Sequence, residues 1–569
     1  MLTRRDFLQA TAATAALLGA SGSVAQAAAQ QAITQEGLLQ FDSIGQISIL
    51  NFTDIHAQLV PLYFREPAVN IGVGVDAGLP PHLTGEYFLK AFKIEPTTPE
   101  AYAFTCVDFA ALGRVYGRMG GLDRIATLVN AIRAERPGRT LLLDGGDSWQ
   151  GSYTSLKERG ADMVTAMNAL GVEAMTGHWE FTYGTDRVKE LMGKLQFPFL
   201  AGNVQDSTWG NWIFESTKVF ERNGLRIAVI GQAFPYTPIA NPAWMIPDWT
   251  FGIHEHHVQE EVDKARAAGV DLVVLLSHNG FDVDRKLATR VHGIDVILTG
   301  HTHDAIPEAV IVNKTILVAA GSHGKFLARL DLDVKNRGVA DYRFKLIPVF
   351  SDAIAPDPEM AKLISEIRRP YQADLDRVLG RTEGLLYRRG NFNGTFDDLI
   401  CEALLAERDA EISLSPGFRW GASLLPGQEI RLEDLYSQTA ITYPAAYRRP
   451  MTGAALKAAF EDIADNLFNP DPYYQQGGDM VRVGGVSYAI DVTKPMGQRI
   501  SEMTLLRTGE VIDPAKSYMV AGWASIAQGT EGPAIYDVVQ RYIERQKTVR
   551  IPDRQLVRVT GADPRGVST

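Results

Sequence analysis

Short apolar runs alternate with amphipathic stretches through the first half of the chain. Seven apolar runs are predicted to be buried strands, at 47–52, 140–143, 197–200, 226–230, 272–276, 296–298 and 316–319. Four segments between them have helical periodicity, at 122–135, 163–170, 186–195 and 258–268. Continuous apolar strands separated by helices predict a layered α/β domain with sheets buried on both faces.

A second, smaller domain is predicted beyond a charged helical connector. Helical patterns at 397–408 and 454–466 mix there with glycine-rich strand and turn segments, which is typical of an α+β unit. The predicted organisation is a first domain over 44–350, a helical connector over 351–380 and the second domain over 381–560. Residues 57–119 lack periodicity, and we predict an excursion over the active-site face that narrows access to it. A purely structural flap is an equal alternative.

The first 27 residues have the layout of an export signal. Paired Arg4 and Arg5 precede a modest apolar stretch that ends in Ala25-Gln26-Ala27. This order predicts a twin-arginine signal peptide cleaved after Ala27, and therefore a folded protein exported to the periplasm. An ordinary amphipathic first helix is the alternative. No later apolar run approaches the roughly 20 residues that cross a bilayer, so no membrane partner is expected.

Charge and cysteine content narrow the possible partners. The 569-residue chain has a formal net charge of −11 and no pronounced basic stretch, so nucleic acid is a poor candidate partner. Cys106 and Cys401 are the only cysteines, which excludes a disulfide framework. Two free thiols or one oxidised pair both remain open.

Candidate metal ligands follow strand candidates in five places. They are Asp54-Ile55-His56, Gly145-Gly146-Asp147, Gly177-His178-Trp179-Glu180, Ser277-His278-Asn279 and Gly300-His301-Thr302-His303. The carboxyl ends of strands are where α/β sheets place ligand-binding residues, and the D-x-H and H-x-H spacings put both side chains on one face of an extended chain. A single His or Asp of this kind is more often a core residue or a turn cap, but five in order favour a metal site. The remaining histidines follow no strand and are predicted to be surface residues; they are His82, His254, His256, His257, His292 and His323.

The order of these motifs resembles the metallophosphoesterase superfamily, and within it the two-domain 5′-nucleotidases. That pattern is D-x-H, G-D, G-N-H-E/D, H and G-H-x-H. The resemblance implies a layered βαβ metallophosphoesterase domain, a second domain of the 5′-nucleotidase C-terminal type, and two metal ions. The implied ligands of the first ion are Asp54, His56, Asp147 and His303. Asp147 would bridge to a second ion held by His178, His278 and His301. Mixed carboxylate and imidazole ligands suit two Mn²⁺ ions, with Zn²⁺ or Fe as alternatives.

One motif departs from the nucleotidase pattern. Where that pattern has G-N-H-E-F-D-Y-G, residues 177–184 are G-H-W-E-F-T-Y-G. Trp179 replaces the histidine that protonates the leaving group, and Thr182 replaces the aspartate that orients it. An indole N–H does not ionise at working pH, so we infer a leaving group that departs without protonation. A thiolate or persulfide meets that condition, because a thiol has a pKa of about 8.5.

This departure resembles the thiosulfohydrolases of the bacterial Sox pathway, as do the segments at 64–67, 415–420 and 473–479. The resemblance implies a periplasmic dimanganese S-sulfosulfanyl-L-cysteine sulfohydrolase. Such an enzyme uses a two-metal-activated water to release sulfate from a cysteine S-thiosulfonate on the swinging arm of the SoxYZ carrier protein. It also yields the predicted catalytic residues, which are Asp147, His178 and Arg419. The predicted substrate contacts are Arg419, Arg482, Tyr183 and Trp179. Surface exposure of the arginines and simple packing of Tyr183 are the alternatives.

Two other functions stay open at this point. A periplasmic 5′-nucleotidase or related phosphoesterase would need aromatic side chains to stack a base. The candidates for that role are Phe418, Trp420, Tyr473 and Tyr474. A non-catalytic metalloprotein that docks the carrier is the second alternative. Retention of the whole ligand set argues against it, because a docking surface needs no inward-facing ligands.

Overall fold

The computed structural model describes residues 33–552 and 554–568. The predicted signal peptide and its cleavage site lie outside the described residues. Within the described ranges, no helix has both the length and the apolar character needed to cross a bilayer. The chain forms an α/β domain followed by a smaller α+β domain, which confirms the predicted fold class.

Two mixed sheets form the first domain. The first sheet has the spatial order β13 (Gly338–Pro348), β12 (Phe326–Lys335), β1 (Ile47–Phe52), β2 (Thr140–Asp144), β3 (Ala174–Met175). The second has the order β10 (Val310–Val312), β11 (Thr315–Ala319), β9 (Val296–Thr299), β8 (Leu272–Ser277), β6 (Leu225–Gln232), β5 (Thr217–Arg222). Strands β4 (Val204–Asp206) and β7 (Trp249–Phe251) form a separate ribbon. β1, β2 and β3 run parallel, as do β6, β8, β9 and β11.

Helices cover these sheets. The helices of the first domain and the connector are α1 (Gln35–Leu39), α2 (Gly85–Phe92), α3 (Pro99–Phe104), α4 (Phe109–Tyr116), α5 (Leu122–Glu135), α6 (Tyr153–Glu158), α7 (Ala161–Leu170), α8 (Thr185–Met192), α9 (Thr237–Ala240), α10 (Glu255–Ala267), α11 (Phe281–Arg290), α12 (Pro358–Arg368) and α13 (Gln372–Leu375). Strand β8 illustrates the layering, because its side chains alternate between two cores. Leu272 and Val274 pack in the main core with the first sheet, whereas Val273 and Leu275 pack with residues of α10 and α11.

The segment 57–119 is an ordered part of the first domain. It contains α2, α3 and α4, and Phe88, Tyr102 and Phe109 from these helices are buried in the main core. The connector helix α12 also packs on this domain through Met360 and Ile364. The predicted strand at 197–200 forms only isolated bridges, whereas the other predicted strands agree with the structure to within two residues at each end.

The second domain begins at β14 and contains three small sheets. Their strands, in spatial order, are β16 (Glu429–Arg431), β14 (Val378–Thr382) and β22 (Thr548–Val549); β17 (Tyr447–Thr452), β21 (Ser517–Gly522), β15 (Ile412–Ser415) and β18 (Arg482–Gly484); β20 (Ile500–Leu505), β19 (Val486–Asp491) and β23 (Val557–Thr560). Its helices are α14 (Thr395–Arg408), α15 (Leu432–Thr439), α16 (Gly453–Phe468) and α17 (Ile535–Gln546). After β23 the chain returns to the first domain, where the Ser568 amide donates to the Ala68 carbonyl at 2.8 Å.

Candidate dimetal site

The predicted ligands converge where the two sheets meet. Those that follow β1, β2 and β3 come from the first sheet, and those that follow β8 and β9 come from the second. Because these strands are parallel within each sheet, their carboxyl ends lie at one edge. The structure brings all seven predicted ligands together there, and each is buried; they are Asp54, His56, Asp147, His178, His278, His301 and His303.

The backbone at this edge is held in an unusual conformation. Five of the seven residues have positive φ angles, at 54° for Asp54, 48° for His56, 57° for Asp147, 73° for His301 and 60° for His303. Non-glycine residues rarely adopt this region, and each such residue costs of order 1–3 kcal/mol. The surrounding structure therefore stabilises a strained arrangement whose effect is to aim the side chains at one volume.

The side chains form two clusters that share Asp147. One contains Asp54, His56, Asp147 and His303, and the other contains Asp147, His178, His278 and His301. Within each cluster the candidate ligand atoms lie within 4.8 Å of one another. In the first, the Nε2 atoms of His56 and His303 are 3.0 Å apart. In the second, Asp147 Oδ2 lies 3.2 Å from His178 Nδ1 and 3.1 Å from His278 Nε2.

The charge states of these buried side chains favour the binding of cations. Burial lowers the pKa of His301 and His303 well below the ordinary value, so both rings are neutral and can donate a lone pair. Burial opposes a charge on His278, but Asp147 and Asp54 raise its pKa to about 10. A bound cation would compete with a proton for this ring.

The donor set itself fits two divalent metal ions. Both ring nitrogens of His301, Nε2 of His178 and Nδ1 of His303 have no hydrogen-bond partner among the described residues. Buried polar atoms are normally paired. His301 has no partner on either ring nitrogen, so one of them is free to bind an ion, whereas His178 and His303 face the clusters with their other ring nitrogens. Two buried His/Asp clusters joined by one carboxylate match the dimetal sites of metallohydrolases.

Glu180 ties the two ligand loops together from behind the site. Its carboxylate is fully buried and accepts backbone N–H groups from both loops. The Ser148 and His178 amides donate at 2.7 Å each, and the Trp149 and Asp147 amides donate at 3.2 and 3.3 Å. One carboxylate thus fixes the backbone that carries the shared Asp147 and the backbone that carries His178.

A cavity of about 400 Å³ leads to the clusters between the two domains. Asp147, His178, His301 and His303 form its floor. Its walls are largely aromatic and come from Trp179, Phe418, Trp420 and Trp523. Trp179 meets Trp420 edge-on at a ring-centroid distance of 4.8 Å, and Phe418 stacks on Trp420 at 4.0 Å. The lining therefore combines an aromatic surface with charged side chains such as Arg419, Arg449 and Asp479.

The second domain also contacts the site with polar groups. Arg419 lines the cavity and donates from its guanidinium to the His301 carbonyl at 3.1 Å. Gly477 comes so close to His301 that a Cβ atom there would lie 1.9 Å from the ring Nε2, and its φ is +74°. Only glycine satisfies both conditions.

Two predicted substrate contacts, Arg482 and Tyr183, lie away from the cavity, which contradicts the roles predicted for them. Arg482 has no exposed surface, because its guanidinium is enclosed between Asp479 at 2.9 Å and Asp397 at 3.4 Å. Tyr183 is buried behind the site, where its hydroxyl donates to the Trp149 carbonyl at 2.9 Å. Arg419 and Trp179 do line the cavity, and their contact with a substrate stays a prediction.

Several other expectations from the sequence can be compared with the structure. No residue of the segment 57–119 lines this cavity, but Asn70, Ile71, Pro81 and His82 line a second, smaller cavity that His301 also lines, so the narrowing of access by this segment stays a prediction. His82, His257 and His323 are buried and not at the surface. His323 lies beside the site, where its ring is 5.4 Å from that of His56 and its Nε2 accepts the Gly421 amide of the second domain at 3.2 Å. His323 follows no predicted strand, so the strand pattern gave no reason to place it beside the metal ligands.

Cys106 and Cys401 are free thiols.

Comparisons with known proteins agree with this architecture. Residues 378–541 match the family described as the 5′-nucleotidase C-terminal domain. The chain is 25% identical to bovine and 26% identical to human 5′-nucleotidase over 432 residues, covering 68% of this chain and 73% of each relative. A solved 5′-nucleotidase precursor from Thermus thermophilus has a TM-score of 0.71 at 20% identity, covering 90% of this chain and 99% of that one, and shows a shared fold.

These features define a two-domain hydrolase of the 5′-nucleotidase superfamily with a candidate dimetal site. The solved Thermus thermophilus sulfate thiohydrolase SoxB, in complex with glycerol, is more similar still. It superposes with a TM-score of 0.88 at 37% identity, covering 92% of this chain and 98% of that one. The chain belongs to the SoxB family.

Proposed function

We propose that this protein hydrolyses the terminal sulfonate of a cysteine S-thiosulfonate on the SoxYZ carrier protein in the periplasm. Water adds to the terminal sulfur, the S–S bond to that sulfur breaks, and the carrier persulfide leaves with both bonding electrons. The products are sulfate, a cysteine persulfide anion and two protons. Support comes from the likeness to SoxB and above all from the replacement of a proton-donating pair by Trp179 and Thr182.

The cavity wall offers no strong acid in place of the missing proton donor. Apart from the clustered ligands and two arginines, its ionisable residues within the described chain are Tyr447 and Asp479. Burial raises the pKa of Tyr447, so its hydroxyl stays protonated and is a weak acid. Burial also opposes ionisation of Asp479, but Arg482 and Arg419 lower its pKa, so it stays ionised. A site built this way favours a leaving group that is already a stable anion, and a persulfide is one.

The chain's own residues bind and orient such a substrate. The Trp179 amide donates to Asp147 Oδ1 at 2.7 Å and fixes the shared carboxylate. The Arg419 guanidinium, which lies at the cavity wall, supplies positive charge for the sulfonate. The aromatic walls exclude water around a slender thiol arm, which strengthens the electrostatic interactions at the end of the passage.

Metal ions complete the proposal. Two divalent ions held by the seven ligands would polarise the sulfonate oxygens and lower the pKa of a water molecule. Because carboxylate and imidazole are mixed, we propose Mn²⁺ as the ion, with Zn²⁺ or Fe as alternatives.

A 5′-nucleotidase is the competing function, and the superfamily relationship favours it. It requires an aromatic pair that stacks a base. Of the four aromatic candidates, Tyr473 donates to Glu255 at 2.9 Å outside the cavity, and Tyr474 is 63% exposed. Phe418 and Trp420 already stack on each other. The described arrangement therefore leaves no free aromatic pair of that kind among these candidates.

One assay separates the functions. The metal-loaded protein is incubated in parallel with AMP and with thiosulfonate-loaded carrier, and phosphate and sulfate are measured. We expect sulfate release from the carrier and little phosphate from AMP. Phosphate release without sulfate would identify a nucleotidase, and neither product would support a docking protein.

The absence of a general acid also predicts that the reaction rate depends on the pKa of the leaving group. Phosphate monoesters of ordinary alcohols should react very slowly, whereas aryl esters of acidic phenols should be less impaired. General acid catalysis is typically worth about 10²–10⁴-fold, which sets the expected scale of this selectivity. The measurement is a plot of log rate against leaving-group pKa. A slope as shallow as that of a phosphatase with a general acid would mean that another residue donates the proton.

A further inference from the structure

The residues that replace the proton-donating pair face the second domain. Trp179 and Thr182 belong to a 3₁₀ helix, Trp179–Tyr183. Residues three apart eclipse each other in a 3₁₀ helix, so these two side chains share one face. The two residues between them contact the first domain. Phe181 packs among aromatic residues there, and Glu180 accepts backbone amides of the ligand loops.

The helix face that carries Trp179 and Thr182 contacts the segment 440–443 of the second domain, which follows α15. The Thr442 hydroxyl donates to the Thr182 carbonyl at 3.0 Å, so the Thr182 hydroxyl is the donor in the 2.6 Å contact with Thr442 Oγ1. On either side, Gln150 donates to the Ala440 carbonyl and Tyr443 donates to the Ala240 carbonyl. Thr182 is fully buried, so its hydroxyl depends on this contact.

Trp179 makes the second half of the interface. Its ring meets Phe418 and Trp420 edge-on, at centroid distances of 5.2 and 4.8 Å. Trp179 comes from the first domain and Phe418 and Trp420 from the second, and the three rings line the cavity while they contact one another. The way the second domain sits on this 3₁₀ helix therefore sets where the aromatic part of the cavity lining lies.

We propose that the Thr182–Thr442 contact is a latch that fixes the width of the cavity by holding the second domain against Trp179. In this role Thr182 and Thr442 are positioning residues for specificity, because a fixed narrow passage admits a slender thiol arm and excludes bulky esters. The identity of that substrate rests on the proposed function, but the latch itself does not.

Amide hydrogen exchange tests the latch directly. The Gly421 amide donates to His323, and the Ser423 amide donates to the Tyr63 carbonyl at 2.7 Å, so both report separation of the domains. Thr442→Val removes both hydroxyl contacts and should speed exchange of these amides by about 5- to 100-fold. Thr182→Val removes one contact and should have a smaller effect, whereas Thr442→Ser should resemble the wild type.

A matched control removes another hydroxyl pair between the domains. Ser568 Oγ donates to Thr84 Oγ1 at 2.8 Å, away from the cavity. Thr84→Val should leave exchange at Gly421 unchanged. Wild-type exchange rates in Thr442→Val, or an equal change in Thr84→Val, would overturn the latch.

Kinetics give a second readout. In Thr442→Val, the rate on p-nitrophenyl phosphate should rise relative to the rate on thiosulfonate-loaded carrier, with unchanged metal content. An unchanged ratio would refute the link between the latch and specificity. If the wild type does not act on the carrier, the proposed function fails, while the exchange experiment still decides whether the latch exists.

Discussion

Replacing Glu180 with glutamine is expected to weaken metal binding without changing any metal ligand. The carboxylate accepts four backbone amides, and two of these, from Ser148 and His178, are at 2.7 Å. Glutamine has one acceptor oxygen, so its NH₂ group would face two N–H donors. Each hydrogen bond to a charged group is worth about 1.5–3 kcal/mol, and loss of two is offset in part because a buried charge is removed.

The net loss of stability is expected to be about 2–4 kcal/mol. For the first domain this corresponds to a fall in Tm on the order of 3–6 °C. Because the displaced backbone carries Asp147 and His178, the affinity for Mn²⁺ should fall about 10- to 100-fold, which is typical when a residue that orients ligands is lost.

A second buried glutamate gives a matched control. Glu461 in the second domain accepts the Gly497, Arg499 and Ile500 amides at 2.8, 3.1 and 2.7 Å, away from the metal clusters. Glu461→Gln should lower stability in the same way but leave Mn²⁺ affinity unchanged. Calorimetric unfolding of chelated protein and Mn²⁺ titration measure the two quantities. Equal Mn²⁺ affinities in Glu180→Gln and Glu461→Gln would refute the role given to Glu180.

Three further outcomes are expected. Chelation should abolish activity and Mn²⁺ should restore it better than Mg²⁺, because imidazole-rich sites disfavour Mg²⁺; full activity of metal-stripped protein would contradict this. Asp147→Ala should lose both metal ions, and elemental analysis that still finds two per chain would show that Asp147 is not shared. Burial lowers the pKa of His82, but Asp282 at 2.7 Å raises it by more, to above the ordinary value. The stabilisation by this pair is therefore full below about pH 6.5 and is lost as pH rises through the folded pKa. Thermal unfolding should show this loss in the wild type and not in His82→Gln.

The positions of most ligands could be predicted from the sequence because they lie within a few residues of a predicted strand, and the resemblance to a known family then assigned them to two ions. His178 is the exception, because it follows the two-residue strand β3, which was not among the predicted strands. Asp54 and His56 follow β1 directly, and His301 and His303 follow β9, so strand and ligand appear together in one short segment. The parallel order of the strands then brings these segments to one edge without any knowledge of long-range contacts.

Residues whose roles depend on distant partners could not be predicted in this way. His323 is fixed by an amide 98 residues away, and Arg482 is enclosed by Asp397 from a separate helix. The helices of 57–119 were missed because α2, α3 and α4 have only 8, 6 and 8 residues, too few turns for a clear helical period. Their burial comes from contacts with the sheets, which local pattern does not encode.

The motif at residues 177–184 was partly predictable from the sequence and partly dependent on distant partners. From the sequence, Trp179 and Thr182 are positions where a proton donor and its orienting group are absent. In the structure the same two side chains lie on one face of a 3₁₀ helix and contact Trp420 and Thr442 of the second domain. The chemical loss is visible locally, whereas the interface between the domains depends on residues more than 200 positions away. Because Trp179 is part of this interface, Trp179→His would also disturb the cavity wall, so a gain in phosphatase activity and a loss of specificity should appear together.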